Sequence, residues 1–267
     1  MKASAKRILK NFTPEKILRK KPVEPPTYRE FNFPVKDQPS PPSPYPFFVD
    51  PNNVLEELGR KYKPTKRLHN YLPYYWMHFR DIRHQVKKVC EIGLQNDFSI
   101  KMWEEFFPNA TIYGIDIDPN CKKFEGDRRQ VFIGDQSDKT FLNNFVDEIG
   151  GGLDIVIDDG SHIVQHQLDS FEILFPAMSR HGIYAMEDTG GPVGDYENFT
   201  VNSLQKLAEN VLYWPEGYRP EDWSYLSSFP ESANWADRNV VGVAVYRWLA
   251  FVFRGCNPGD NQYLREQ

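Results

Sequence analysis

Two short apolar runs in this 267-residue chain finish in charged groups. Leu153-Asp-Ile-Val-Ile-Asp-Asp-Gly-Ser-His162 ends in Asp158, Asp159 and His162, and Tyr184-Ala-Met-Glu-Asp188 ends in Glu187 and Asp188. A buried strand gains nothing from terminal carboxylates, because an unpaired charge is costly to bury. Neighbouring strands of a parallel sheet would bring both clusters to one edge, where open α/β sheets bind ligands. Hard oxygen donors and a base at such an edge predict a metal-assisted reaction on a substrate oxygen.

Competing readings of the same residues are weaker. His162 and His166 have an H-x-x-x-H spacing that puts both imidazoles on one helix face, but no sulfur or third histidine accompanies them, as zinc would want. Ser161 beside His162 lacks the G-x-S-x-G of a nucleophile elbow. Helix N-capping accounts for one Asp or Ser, not for two carboxylate pairs.

The elements that must position these residues alternate between strand and helix, the mark of a parallel sheet. Strands are expected at Lys88–Ile92, Thr111–Ile115, Val131–Ile133, Leu153–Ile157 and Gly182–Met186. Helices are expected from Tyr71, near Ser99–Phe107, Lys139–Ile149 and Val164–Met178, and near Ser203–Val211. The last two strands, Val240–Tyr246 and Leu249–Phe253, are separated by Arg247-Trp248 alone and predict an antiparallel hairpin.

The ends of the first three strands carry a second constellation. Val89-Cys-Glu-Ile-Gly93 places Glu91 and Gly93 at a turn where the backbone can approach a nucleotide. The sequence that follows does not complete the G-x-G-x-x-G of a pyrophosphate site. Asp116 ends the second strand, suited to a ribose diol, and Asp135-Gln136 follows the third, suited to an adenine edge. Each alone is an ordinary turn; together they favour an adenosyl ligand without pyrophosphate.

Taken together, Glu-Ile-Gly93, Gly-Ile-Asp116, Gly-Asp-Gln136, Ile157-Asp-Asp-Gly-Ser-His162, Ser170-Phe with Leu174-Phe-Pro176, and Glu187-Asp188 resemble the class I S-adenosylmethionine-dependent O-methyltransferases. The nearest resemblance is to the metal-dependent group with mycinamicin and rhamnosyl O-methyltransferases and cephalosporin hydroxylase-like proteins, over roughly residues 66–255. It implies a Rossmann-like α/β fold with a seven-stranded sheet and an antiparallel final strand. It also implies S-adenosylmethionine and Mg²⁺ as cofactors, with Asp159, Glu187 and Asp188 as metal ligands and His162 as general base. Glu91, Gly93, Asp116, Asp135, Gln136 and Asp158 would serve the cofactor, Asp158 as a cofactor-facing or supporting acid. The expected acceptor is a hydroxyl of a sugar, a glycosylated metabolite or a glycan. Two departures stand out: the glycine-rich first turn is reduced to Gly93, and the Ser-Tyr pair after Glu187-Asp188 is replaced by Thr189-Gly-Gly-Pro-Val. A hydroxylase would need a redox cofactor, for which no ligand signature stands out. A catalytically silent adenosyl-binding scaffold is the alternative from another class.

Composition bounds the rest. Residues 1–21 hold eight Lys/Arg and one acid, +7, which leaves −12 for the remainder of a chain with net charge −5 and argues against nucleic acid as its partner. That basic segment reads either as a weak peripheral anchor on anionic lipid or as a solvated arm. Ten prolines between Pro22 and Pro51 describe an extended arm, so residues 1–60 are assigned to an appendage and 61–267 to the methyltransferase domain. Aromatic residues in that arm suggest that it lies on a surface, and a homo-oligomer is expected. Three widely spaced cysteines, no apolar run of membrane-spanning length and no signal-like N-terminus give a cytoplasmic expectation.

Overall fold

The computed structural model describes Asp50 and residues 52–189, 199–211 and 234–255; the basic and proline-rich N-terminal segments lie outside these, Asp50 excepted. The chain divides into two units, Met1–Asn53 and Val54–Gln267, and all of the elements below belong to the second. Helices α1 (Val54–Tyr62), α2 (Thr65–Leu68) and α3 (Leu72–Phe79) precede strand β1 (Lys88–Ile92). Then come α4 (Phe98–Phe106), β2 (Thr111–Asp116), a 3₁₀ turn (Pro119–Phe124), β3 (Arg129–Ile133), α5 (Lys139–Ile149), β4 (Leu153–Asp158), α6 (Val164–Ala177) and β5 (Met178–Glu187). Helices α7 (Phe199–Val211) and α8 (Trp235–Asn239) lead to the hairpin of β6 (Val240–Tyr246) and β7 (Leu249–Arg254).

The seven strands lie in the order β3-β2-β1-β4-β5-β7-β6. The first five are parallel, and β7 runs antiparallel between β5 and β6. This is the sheet and closing hairpin that the sequence predicts. The order reverses between β1 and β4, so the crevice for a ligand opens beyond the carboxyl ends of those strands. Strands buried on both faces need continuous apolar sequence, which β4 has in Ile155, Val156 and Ile157, each fully buried.

Strand periodicity sends alternate residues to opposite faces. Cys90 and Ile92 of β1 join Val156 of β4 and Tyr184 of β5 in a core closed by Phe145 of α5, Leu174 and Phe175 of α6 and Leu204 of α7. The opposite face carries an aromatic layer in which the Tyr75 ring meets Trp103 at 5.2 Å and Phe251 at 5.4 Å, both edge to face. The same alternation divides the acids. Glu91 and Glu187 bond to Trp103 and Tyr75 of the aromatic face, and Asp158 bonds to Tyr184 on the other.

Local sequence accounts for the element ends that matter here. Asp138 caps α5 by accepting from Thr140 N at 2.8 Å and Phe141 N at 3.2 Å, and Gly150 ends the helix at φ +70°. The short amphipathic helical pieces that residues 1–21 could form lie outside the described residues. The sequence predicts no helix between Pro51 and Lys61, yet α1 occupies Val54–Tyr62, with Glu56 and Glu57 in its first turn and Arg60 and Lys61 in its last. That charge order suits the helix dipole. Nine residues next to a proline-rich stretch are too few for periodicity to announce them. Among the described residues no helix is long and apolar enough to cross a membrane.

Candidate active site

A cavity of about 650 Å³ opens at the carboxyl edge of the sheet. Its wall includes Gly93, Asp116 and Asp135 from the ends of β1, β2 and β3, and Asp159, His162 and Asp188 from the ends of β4 and β5. The sheet thus brings the two constellations of the sequence to one place.

The turn after β1 is built with a single glycine. Gly93 has φ +84°, and a methyl group there would overlap the Asp159 carbonyl, so β1 and the β4 loop approach as only glycine allows. Asp116 supplies what further glycines would otherwise leave open: its Oδ2 accepts from Leu94 N at 2.7 Å and Gln95 N at 3.1 Å, and its Oδ1 from Asp118 N at 2.8 Å. Asp135 accepts from Ser137 N at 2.8 Å and Ser137 Oγ at 2.7 Å, both on Oδ1, and these bonds hold its carboxyl below the usual carboxylate range.

Gln136 and Glu91 are placed differently from the cofactor role expected of them, and Asp158 takes the supporting place rather than the cofactor-facing one. Gln136 reaches the cavity wall, but its Oε1 accepts from Ser161 N at 2.6 Å and its Nε2 donates to Asp158 Oδ1 and Ser170 Oγ, each at 3.1 Å. The amide is a strut between the β4 loop and α6 rather than a free edge for adenine. Asp158 is fully buried away from the cavity wall and accepts from Tyr184 Oη at 3.1 Å as well. Burial pushes its carboxyl up to about 6 against the hydrogen bonds from Gln136, Gly160 and Tyr184. Glu91 is also buried off the wall, accepting from Ser99 Oγ at 2.8 Å and Trp103 Nε1 at 3.1 Å. Both carboxyls turn into the packed faces of the sheet, Glu91 toward Trp103 and Asp158 toward Tyr184, as strand alternation allows.

At the edge itself, one ligand atom each from Asp159, His162 and Asp188 can lie within 4.8 Å of the others. His162 Nε2 is 3.6 Å from Asp188 Oδ2. His162 and Asp188 both have left-handed backbones, at φ +56° and +52°. For non-glycine residues this is a strained conformation of the kind that clusters at functional sites. His162 Nδ1 is buried and has no hydrogen-bond partner among the described residues.

Glu187 is set back from these three, 1 % exposed. Its Oε1 accepts from Tyr75 Oη at 2.6 Å and lies 2.8 Å from Lys66 Nζ, whereas its Oε2 is buried without a partner among the described residues. Burial and the neighbouring Asp159 raise its carboxyl well above the usual range, with Lys66 opposing. Lys66 is itself fully buried and also binds Glu91 Oε1 at 3.1 Å and Asp159 Oδ2. Burial alone would push the ammonium down, but Asp159, Glu187 and Glu91 together hold it well above the usual lysine value. Tyr71 Oη donates to Asp188 Oδ1 at 2.5 Å.

Sequence reasoning missed Lys66, Tyr71 and Tyr75. The only signal was polar tips at four-residue spacing, Tyr71 and Tyr75, in an otherwise apolar run just downstream of a lysine. The donor set fits a hard divalent ion: carboxylates and an imidazole without thiolate, beside an orphaned buried oxygen on Glu187.

No family model matches the chain. Similar proteins include mycinamicin VI 2''-O-methyltransferase from Micromonospora griseorubida, 36% identical over 76% of this chain and 53% of the relative. Demethylmacrocin O-methyltransferase from Streptomyces fradiae is likewise 36% identical, over 76% of this chain and 53% of the relative. Among solved structures, MycE methyltransferase from the mycinamycin biosynthetic pathway, in complex with Mg, SAH and mycinamycin VI, is 34% identical with a TM-score of 0.64, over 78% of this chain and 54% of that one. The chain spans about half the length of the curated relatives it matches. It belongs to the class I S-adenosylmethionine-dependent O-methyltransferase family that includes these sugar methyltransferases.

Proposed function

We propose that this chain transfers a methyl group from S-adenosylmethionine to a sugar hydroxyl of a glycosylated small molecule, with Mg²⁺ at the acidic strand ends. The observation that carries this reading is the meeting of Asp159, His162 and Asp188 on the wall of the cavity that Gly93, Asp116 and Asp135 also line. When bound, the sulfonium supplies an electrophilic methyl group and the cation lowers the pKa of the acceptor hydroxyl.

The chain's residues do the remaining work. Asp159, Glu187 and Asp188 would hold the cation, and His162 Nε2 takes the hydroxyl proton as general base. Tyr71 fixes one oxygen of Asp188, and Tyr75 fixes one of Glu187. Asp116 and Asp135 serve the adenosyl end, Asp116 also shaping the turn through which the backbone meets it. Glu91, Asp158 and Gln136 support the site from within the two faces of the sheet.

The test is methyl transfer from labelled S-adenosylmethionine to glycosylated macrolides. EDTA should abolish it and Mg²⁺ restore it; full transfer in chelator would remove the cation from the mechanism. Cofactor binding without turnover under any metal condition would favour the silent scaffold.

A second reading has one observation in its favour. The trio within 4.8 Å contains His162 and not Glu187, as it would if the imidazole were itself a ligand. The two readings separate on His162→Ala: a base variant keeps Mg²⁺ affinity and a ligand variant loses it.

A further inference from the structure

Lys66 is a buried cation whose chemistry the proposed mechanism leaves unused. It is fully buried, and its ammonium touches carboxylates from three different strand ends: Glu91 from β1, Asp159 beyond β4 and Glu187 from β5. Helix α2, which carries it, is only four residues long. Such a short helix has little stability of its own, so burial of Lys66 among the acids is also what ties α2 to the sheet.

We infer that Lys66 is a positioning residue, a resident cation that lets the acidic strand ends assemble before a divalent ion arrives. Three carboxylates cannot be packed together out of water without a counter-charge. Lys66 supplies one positive charge against them, through Glu91 Oε1, Asp159 Oδ2 and Glu187 Oε1. Glu187 Oε2 is left buried and unpartnered among the described residues. The lysine therefore fixes Glu187 by one oxygen and leaves the other uncommitted. Tyr75 reinforces the arrangement on the same Oε1 at 2.6 Å. This inference rests on the proposal that Asp159 and Glu187 face a divalent cation.

Without Lys66, the fold should come to depend on that cation. The experiment compares thermal unfolding of the full chain and its Lys66→Met variant in EDTA, in MgCl₂ and in NaCl of matched ionic strength. Lys66→Met should melt lower in EDTA, and Mg²⁺ should raise its midpoint at least about twice as far as it raises the wild type's, since a ligand stabilises the state it binds. NaCl should not reproduce the effect, because screening alone is not coordination. Should Lys66→Met fail to fold, Lys66→Met/Glu91→Gln removes one charge of each sign and should show the same excess response. A magnesium shift no larger than the wild type's, or equal recovery in NaCl, would overturn the inference. Calorimetric titration of the wild type with MgCl₂ separates the two levels: binding there with no excess shift in the variant sinks the role of Lys66 alone, whereas no binding sinks the cation reading with it.

Discussion

His162 stands where the proposed chemistry is most exposed to test. Its Nε2 faces Asp188 Oδ2 at 3.6 Å, and its backbone sits at φ +56°. His162→Ala should lower turnover by about two orders of magnitude, the usual contribution of a general base, with S-adenosylhomocysteine affinity nearly unchanged. A collapse of that affinity in calorimetry would make the residue structural. Asp158 gives a prediction about stability and pH. Its carboxyl is pushed up to about 6 in the folded protein, from an ordinary 3.8. Between those values the folded state keeps a proton that the unfolded state releases, so this group makes stability fall as pH rises through about 4 to 6. The loss has an upper limit of about 3 kcal/mol and is complete above about pH 6. Asp158→Asn removes this dependence, so urea unfolding at about pH 4.5 and pH 7 should show the variant gaining on the wild type at the higher pH. A constant difference between the two proteins would mean that Asp158 does not titrate there.

Elements decide which of these residues can meet. The β1–α4 connection is made by Gly93 at φ +84° and by Asp116, which accepts from the next two backbone amides, Leu94 and Gln95. Gly93→Ala places a methyl group on the Asp159 carbonyl and should cost about 2–4 kcal/mol, measured by denaturant unfolding. A loss under about 1 kcal/mol would show that the two loops can part without penalty. Asp116→Ala should weaken S-adenosylhomocysteine binding by about tenfold or more, since it frees both amides of the turn and removes the acid proposed for the adenosyl end together. An unchanged dissociation constant would show that the turn holds its shape without it. Much of this was legible in the sequence. The apolar runs of β1, β2, β4 and β5 announced themselves, and the two-residue Arg247-Trp248 link announced the hairpin. What could not be read was the face each acid takes. Glu91, Asp158 and Gln136 have the residue types of a binding site, and alternation in the strands and packing against α4 and α6 turn them inward. Lys66 was invisible for a related reason, because a lone lysine on a four-residue helix has no local mark of burial.

At the scale of the whole molecule, a sheet whose order reverses between β1 and β4 delivers the edge proposed for the adenosyl ligand and an acidic edge to one cavity. The aromatic layer of Tyr75, Trp103 and Phe251 holds the acidic edge from below through the Tyr75 bond to Glu187. The family relationship covers about three quarters of this chain and half of each relative. Whether the acidic strand ends hold a divalent cation within reach of His162 is decided by calorimetric titration of MgCl₂ into the S-adenosylhomocysteine-bound protein. The titration is repeated with Asp159→Asn, Asp188→Asn and His162→Ala. One site is expected in the wild type, lost or weakened at least about tenfold in both aspartate variants and retained in His162→Ala. Absence of magnesium binding in the wild type, or equal binding in the aspartate variants, would rule out a cation held at these strand ends.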